Sequence, residues 1–131
     1  PSAGLARLDT SDYELEYKGA FSQNPGNAIE LTSSDDGELY GYFLNVGGGG
    51  TLVRIDKETA AILEATPLPV PAGGNTSLAF AYWGGDFYIF TGSGGTTAVN
   101  RYRPIDGSLV QVATLNRNVV GAGVSTCDPA K

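Results

Sequence analysis

The sequence contains no histidine and no methionine, and its only cysteine is Cys127. Without histidine, the chain lacks the side chain that most often serves as a general base or metal ligand near neutral pH. A single cysteine cannot form a disulfide within the chain and leaves no usual ligand set for zinc. These absences exclude Ser–His and Cys–His hydrolase arrangements, and we expect no catalytic residue, no metal and no cofactor.

Positive charge is also scarce in this chain. Eight Lys and Arg stand against fourteen Asp and Glu, which gives a net charge of -6. Nucleic acids and anionic membranes attract clustered cations. The sequence also has no apolar run of about 18 residues, the length that a membrane-spanning helix needs. We therefore expect neither a nucleic-acid partner nor a membrane span.

The residues that are abundant favour short strands. The chain has 19 Gly, 7 Pro, 7 Tyr and 5 Phe among its 131 residues. Aromatic and β-branched residues favour strands, while Gly and Pro favour the tight turns between them. The length fits one domain, so we predict a single all-β unit over 1–131.

An internal repeat organises the sequence. A five-residue pattern occurs three times, at 5–9 (LARLD), 52–56 (LVRID) and, more loosely, 99–103 (VNRYR). Its central residue is Arg7, Arg54 and Arg101 in turn, with a spacing of 47 residues. The same spacing relates Leu15 to Ile62 and Leu109, and Phe21 to Leu68 and Leu115. A second correspondence, between 37–40 and 85–88, is offset by 48, which one inserted loop residue explains.

Alternation and turn signals divide each full copy into four short strands, which we label A to D. The predicted bounds are 28–34 and 76–82 for A, 38–44 and 86–92 for B, 51–56 and 98–103 for C, and 60–66 and 107–114 for D. The chain opens on a C–D pair at 5–9 and 13–21 and closes on a strand A at 119–125. The repeats thus fall at about 1–27, 28–75, 76–118 and 119–131.

This strand order predicts a fold. Four antiparallel strands that repeat every 40 to 50 residues are typical of β-propeller blades. We predict a partial β-propeller with two full four-stranded blades, partial blades on either side and about eleven strands. A β-sandwich also uses short alternating strands, but it does not require every fourth strand to repeat the same residues.

Several motifs resemble known propeller repeats. The run 36–41 (DGELYG) followed by 52–59 (LVRIDKET) resembles bacterial blades of the kelch or PQQ-like type. The runs 80–88 (FAYWGGDFY) and 121–127 (GAGVSTC) are similar to C-terminal blades of uncharacterised secreted proteins of myxobacterial type. The resemblance implies an extracellular or envelope-associated propeller with further blades upstream.

The chain departs from that repeat at one turn. The generic C–D turn ends in Thr-Gly, whereas this chain has Thr-Ala at 59–60 and Ser-Asp at 11–12. Only Asp-Gly at 106–107 keeps the turn glycine. The resemblance therefore leaves open the turn geometry of the first two copies.

The densest acidic residues are Asp35, Asp36 and Glu38. Paired carboxylates are the groups that glycosidases use, and clustered oxygen ligands also suit calcium. However, the spacing of a calcium loop is absent, and Ser-Ser-Asp-Asp-Gly at 33–37 is typical of a hairpin turn. We interpret these residues as the A–B hairpin, with Gly37 at positive φ.

The repeated arginines have two possible roles. They either line a binding surface at equivalent points of consecutive blades, or each pairs with a strand-end acid such as Asp9 or Asp56. Repetition in every copy favours the structural role. We nevertheless keep Arg54 and Arg101 as candidate ligand-binding residues.

Aromatic residues concentrate around strands A and B. They are Tyr40, Tyr42, Tyr82, Trp83, Phe87, Tyr88 and Phe90. Most are expected to fill the core between blades. Trp83, beside the Gly-Gly pair at 84–85, is the best candidate for an exposed recognition residue, and Tyr82 is its neighbour in the candidate site.

The expected function follows from the unfinished repeat. Terminal blades without neighbours expose apolar faces and unpaired strand edges. We expect a non-catalytic binding or scaffold module that self-associates or completes a larger propeller, with a protein or a glycan as further possible partners. The final strand A would form the seam, with Cys127 near the junction. The alternative is a carbohydrate-active enzyme or lectin fragment that uses acids or aromatics in the propeller pocket.

Overall fold

The structure is a computed structural model that describes residues 4–23, 28–45, 48–71 and 77–124. Within these ranges the chain is all-β, with ten antiparallel strands in three sheets and no helix. Accordingly, no helix in these ranges has the length and hydrophobicity for crossing a membrane. The predicted position of Cys127 lies outside the described residues.

Each sheet is a simple meander in chain order. The first sheet contains β1 (Gly4–Leu8) and β2 (Leu15–Ala20). The second contains β3 (Ala28–Ser33), β4 (Leu39–Leu44), β5 (Gly50–Ile55) and β6 (Ile62–Leu68). The third contains β7 (Ser77–Trp83), β8 (Asp86–Ser93), β9 (Thr96–Arg103) and β10 (Ser108–Leu115). Every boundary lies within about two residues of the prediction from alternation and turn signals.

The core consists of two apolar layers, one on each face of the second sheet. The layer against the first sheet contains Leu5, Phe43, Val53, Ile55 and Ala60, with Phe21 and Ile62 packed at its margin. The layer against the third sheet contains Tyr42, Leu52, Leu68, Val70, Phe80, Phe87 and Ile89. Successive residues of a strand point to opposite faces. Tyr42 and its neighbour Phe43 therefore fill different layers, and β4 is apolar throughout.

Polar contacts hold the first sheet against the second. The ammonium group of Lys18 lies 2.9 Å from carboxylate oxygens of both Glu16 and Glu58, and its side chain is nearly buried. These hydrogen bonds raise the pKa of Lys18. In addition, the amide of Ile62 donates a 2.9 Å hydrogen bond to the hydroxyl of Ser22. The contacts fix the first sheet beside the turn between β5 and β6.

The C–D turn has the same backbone in all three copies. Tyr13, Ala60 and Gly107, each 47 residues from the next, all lie in the left-handed region, with φ of 61°, 61° and 69°. Their amides each donate to the carbonyl four residues earlier, at 2.8, 2.9 and 2.9 Å. The turn geometry, which the sequence did not determine for the first two copies, is thus the same in all three. In the first copy the glycine position is occupied by Tyr13, not by Asp12.

A left-handed residue other than glycine costs about 1–2 kcal/mol, because Cβ approaches the following carbonyl. Aspartate side chains support the two turns that bear this cost. The carboxylate of Asp9 accepts hydrogen bonds from the amide and hydroxyl of Ser11. Asp56 accepts three, from the amide of Glu58 and from the amide and hydroxyl of Thr59. These local hydrogen bonds therefore help to offset the backbone strain at the two turns that lack glycine.

The predicted final strand is wrong as far as the described residues extend. Residues 119–124 pair with no sheet in the described part of the chain. Instead, the amide of Val119 donates to the hydroxyl of Thr97 at 3.0 Å, and that hydroxyl donates to the carbonyl of Arg117 at 2.7 Å. This segment would pair as a strand only if it lay along the edge of a sheet. It lies instead against a face of the third sheet.

Candidate functional site

A groove runs between the second and third sheets at the end where the A–B hairpins lie. It consists of two cavities of about 380 and 190 Å³, which share Tyr40, Phe87 and Pro104. We call it the inter-sheet groove. The rest of its lining is Ser34, Asp35, Asp36, Leu52, Arg54, Glu64, Thr66, Tyr82, Gly85, Tyr102 and Ile105. Aromatic rings thus form its floor, and carboxylates and one arginine line its sides.

The acidic hairpin at one side of the groove has the predicted geometry. Gly37 has a φ of 79°, and its amide donates to the carbonyl of Ser34 at 3.1 Å. The carboxylate of Asp36 accepts hydrogen bonds from the hydroxyl of Ser34 and the amide of Glu38. These bonds lower the pKa of Asp36. The turn interpretation of these acids is confirmed.

Tyr82 links the two sheets across the groove. Its hydroxyl donates a 3.1 Å hydrogen bond to Asp35, and its amide donates to the hydroxyl of Thr32 at 3.3 Å. Its ring meets that of Phe87 edge-on, with 5.0 Å between centroids. The residue is half-buried, so only part of its ring is open to a ligand.

Arg54 is fixed at the other side of the groove. Its guanidinium donates to Glu38 at 3.3 Å and to Glu64 at 2.6 Å. Both partners raise the pKa of Arg54, Glu64 more strongly. The prediction that Arg54 pairs with Asp56 is wrong, because the Asp56 carboxylate accepts hydrogen bonds within the C–D turn. A bulge between Arg54 and Ile55 places Glu64 directly opposite Arg54.

The other two repeated arginines also form ion pairs within their own sheets. Arg7 lies 3.7 Å from Asp9, as predicted. Arg101 lies 3.6 Å from Asp86, whose carboxylate also receives two 3.1 Å hydrogen bonds from Arg103. The largely buried Asp86 thus neutralises two cations. Sequence reasoning missed Arg103, although its position two residues after Arg101 places both side chains on one face of β9.

Trp83 and Arg101 lie away from the groove. The register of β7 to β10 places Trp83, Tyr88, Arg101 and Val110 on the face of the third sheet that points away from the second sheet. We call this the outer face. Trp83 is 46% exposed there, as its position beside the turn predicted. Between it and residues 122–124 lies an apolar cavity of about 280 Å³.

The four predicted site residues therefore divide between two places. Tyr82 and Arg54 line the inter-sheet groove, while Trp83 and Arg101 belong to the outer face of the third sheet. They form no single site. In the described ranges, no three His, Cys, Asp or Glu side chains lie close enough together to hold a metal ion.

The apolar cavity on the outer face is a feature that sequence reasoning did not anticipate. Most of the seven aromatics around strands A and B are expected to fill the core, but Tyr88 and Phe90 line the cavity under residues 122–124. No described sheet covers them.

Comparison with models of known protein families gives no match, and a search of curated proteins finds no relative.

Proposed function

We propose that this chain is a segment of a β-propeller that serves as a non-catalytic binding or scaffold module. The observation that carries the proposal is the repeated C–D turn, with left-handed residues at Tyr13, Ala60 and Gly107. Each turn joins the last two strands of one sheet, and the sheets pack face to face in chain order. Such a series is how successive blades bury each other's faces.

In this proposal the module either self-associates or completes a larger propeller. The second sheet is covered on both faces, whereas the outer face of the third sheet keeps Trp83 and Val110 exposed. Apolar area that stays in water costs about 25 cal/mol per Å². A covering partner, whether a copy, a further part of a longer chain, another protein or a glycan, would remove that cost.

The arrangement of acids supports a binding role over a hydrolytic one. A glycosidase needs one carboxylic acid that keeps its proton near neutral pH. The hydrogen bonds to Asp36 shift its pKa in the opposite direction. Glu38 and Glu64 are both engaged by Arg54. The lowered pKa of Asp36 and the contacts of the two glutamates with Arg54 suit positioning and not proton transfer.

Binding of a glycan is the second candidate, and the inter-sheet groove favours it. Sugars bind where aromatic faces lie beside carboxylates and other polar groups. Tyr40 and Tyr82 flank Phe87 at centroid distances of 4.8 and 5.0 Å, with Asp35 beside them. This arrangement would suit a short saccharide at the mouth of the groove.

A pair of assays tests the proposal against the enzymatic alternative. Purified protein is incubated with ester, peptide and glycoside substrates, and in parallel it is titrated against glycan and peptide arrays. We expect no turnover, and any glycan binding should weaken in Tyr40→Ala but persist in Leu63→Ala, a matched change on an exposed edge strand. Turnover that disappears in Asp35→Asn or Asp36→Asn would overturn the non-catalytic assignment.

A further inference from the structure

The first and third sheets each have one face that no other described sheet covers, although residues 119–124 lie over part of that face of the third sheet. On the first sheet, the register of β1 and β2 places Leu8, Leu15 and Tyr17 together on this face. On the third sheet it is the outer face. We propose that these two faces bind each other between copies, so that the first sheet of one copy covers the third sheet of the next. The inference rests on the proposed function, because it treats the three sheets as successive units of one repeat.

The exposed face of the first sheet matches faces that are buried in the other sheets. Leu8 is 50% exposed and Leu15 is 71% exposed. The positions 47 residues later, Ile55 and Ile62, pack against the preceding sheet. The pair in the third copy also packs against the sheet before it. The three equivalent pairs are Leu8 with Leu15, Ile55 with Ile62, and Tyr102 with Leu109. By position, Leu8 and Leu15 are therefore suited to pack on a preceding sheet.

The outer face of the third sheet is the matching acceptor. Tyr88 and Phe90 stand 48 residues after Tyr40 and Tyr42, which lie under the third sheet in the core. In the third sheet the corresponding rings are half-buried next to residues 122–124, and Val110, which lies across Arg101 from Tyr88, is exposed. The outer face thus repeats the apolar pattern that the second sheet presents to the third.

The two end segments of the chain differ in net charge. Residues 4–23 carry four acidic and two basic side chains, whereas the third sheet, 77–115, carries two of each and Arg117 just after it adds a third base. Like charges therefore do not oppose the contact between the first sheet of one copy and the third sheet of another. Exposed charges add little affinity, but they steer and orient association. Contact between two first sheets would instead bring two acidic segments together.

Such a contact joins two different surfaces of the chain. Contacts of this kind form a closed ring when the rotation between copies closes, and an open filament when it does not. Each copy then covers one neighbour and is covered by another. Both faces of a copy are therefore covered only within an assembly. A substitution that blocks one of the two faces leaves the other face of that copy free to bind.

Complementation between two blocked variants tests this directly. Leu15→Asp places a charge on the first sheet, and Val110→Asp places one on the outer face of the third. Light scattering at micromolar concentration should give assemblies for the unchanged chain and 13.6 kDa monomers for each variant alone. An equimolar mixture of the two variants should give a dimer and nothing larger, since one intact pair of faces remains. The matched control Leu63→Asp, an exposed leucine on β6, should assemble like the unchanged chain.

Two results would overturn the inference. One is a folded monomer of the unchanged chain at micromolar concentration, and the other is a mixture that stays monomeric. Circular dichroism checks that the variants fold, and Tyr17→Glu with Trp83→Glu provides a second pair. Amide hydrogen exchange on the same samples separates failure of this inference from failure of the proposed function. The proposed function requires strong protection of β4 and β5 in the monomer as well as in the assembly, so weak protection there would count against the proposed function itself.

Discussion

The first and second sheets carry equivalent residues in unlike surroundings. Ile55 is 1% exposed between two sheets, whereas Leu8, 47 residues earlier, lies on an open face. The same position of the repeat thus contributes to a core in one sheet and to a surface in another. In repeat proteins, stability resides largely in the contacts between neighbouring units. The difference in burial therefore predicts that the neighbours of each sheet, more than its own strand sequences, determine how stable it is.

The largest expected difference comes from truncating this pair of residues. Ile55→Ala removes buried methyl and methylene groups and should lower the free energy of unfolding by about 3 kcal/mol. Leu8→Ala should lower it by less than about 1 kcal/mol, because that side chain is already half in water. Urea denaturation in a Val110→Asp background, where the chain is held monomeric, measures both. Equal losses would mean that the first sheet is covered in the monomer.

The C–D turns sharpen the comparison with effects of intermediate size. Tyr13→Gly should raise the free energy of unfolding by about 0.5–1 kcal/mol, since it relieves a left-handed residue whose ring is exposed. Gly107→Ala should lower it by about 1 kcal/mol for the converse reason. Ala60→Gly should change little, because the relief is offset by loss of a buried methyl. Thermal melts of the three variants measure these changes, and a loss of stability in Tyr13→Gly would contradict the shared turn geometry.

The smallest expected effect is the dependence of stability on acid. Hydrogen bonds from Ser11 to Asp9, and from Thr59 to Asp56, lower the pKa of each carboxyl below its usual 3.8. The unfolded state therefore takes up these protons first as the pH falls. The stabilisation is complete above the unfolded pKa and is lost as the pH falls through the lowered folded value.

Asp9→Asn and Asp56→Asn should each make the loss of stability below about pH 4 less steep, and by similar amounts. The turns are local, so this effect should not depend on whether the surrounding sheet is covered. Urea midpoints measured from neutral to acid pH test the point. A change confined to Asp56→Asn would show that the two turns are not equivalent in solution.

Most of the strand pattern was predictable because it depends on short-range signals. Alternation and the 47-residue spacing located all ten strands of the described ranges, and the hairpin at Gly37 followed from its turn residues. What failed depends on longer-range geometry. The sequence contains no signal for the bulge that places Glu64 opposite Arg54. It also contains no signal that the backbone of Tyr13 adopts a left-handed conformation.

The candidate site was less predictable than the fold. Alternation correctly suggests that the side chains of Tyr82 and Trp83 point to opposite sides of β7. Only the packing of the sheets shows which of the two side chains lies against the second sheet. The segment 119–124 has the small and apolar residues of a strand, yet pairing also requires an edge beside it. A sequence does not reveal whether that edge is present.

The position of Trp83 gives the protein an optical reporter. It is the single tryptophan of the chain, and it lies on the outer face at the margin of an apolar cavity. Indole emission moves to shorter wavelength when water leaves its surroundings, so the emission maximum reports on one face of one sheet without any label. During heating, the same signal follows the third sheet alone. A fluorescence transition at lower temperature than the circular-dichroism transition would show that this end of the molecule opens first, and that unfolding is not a two-state process.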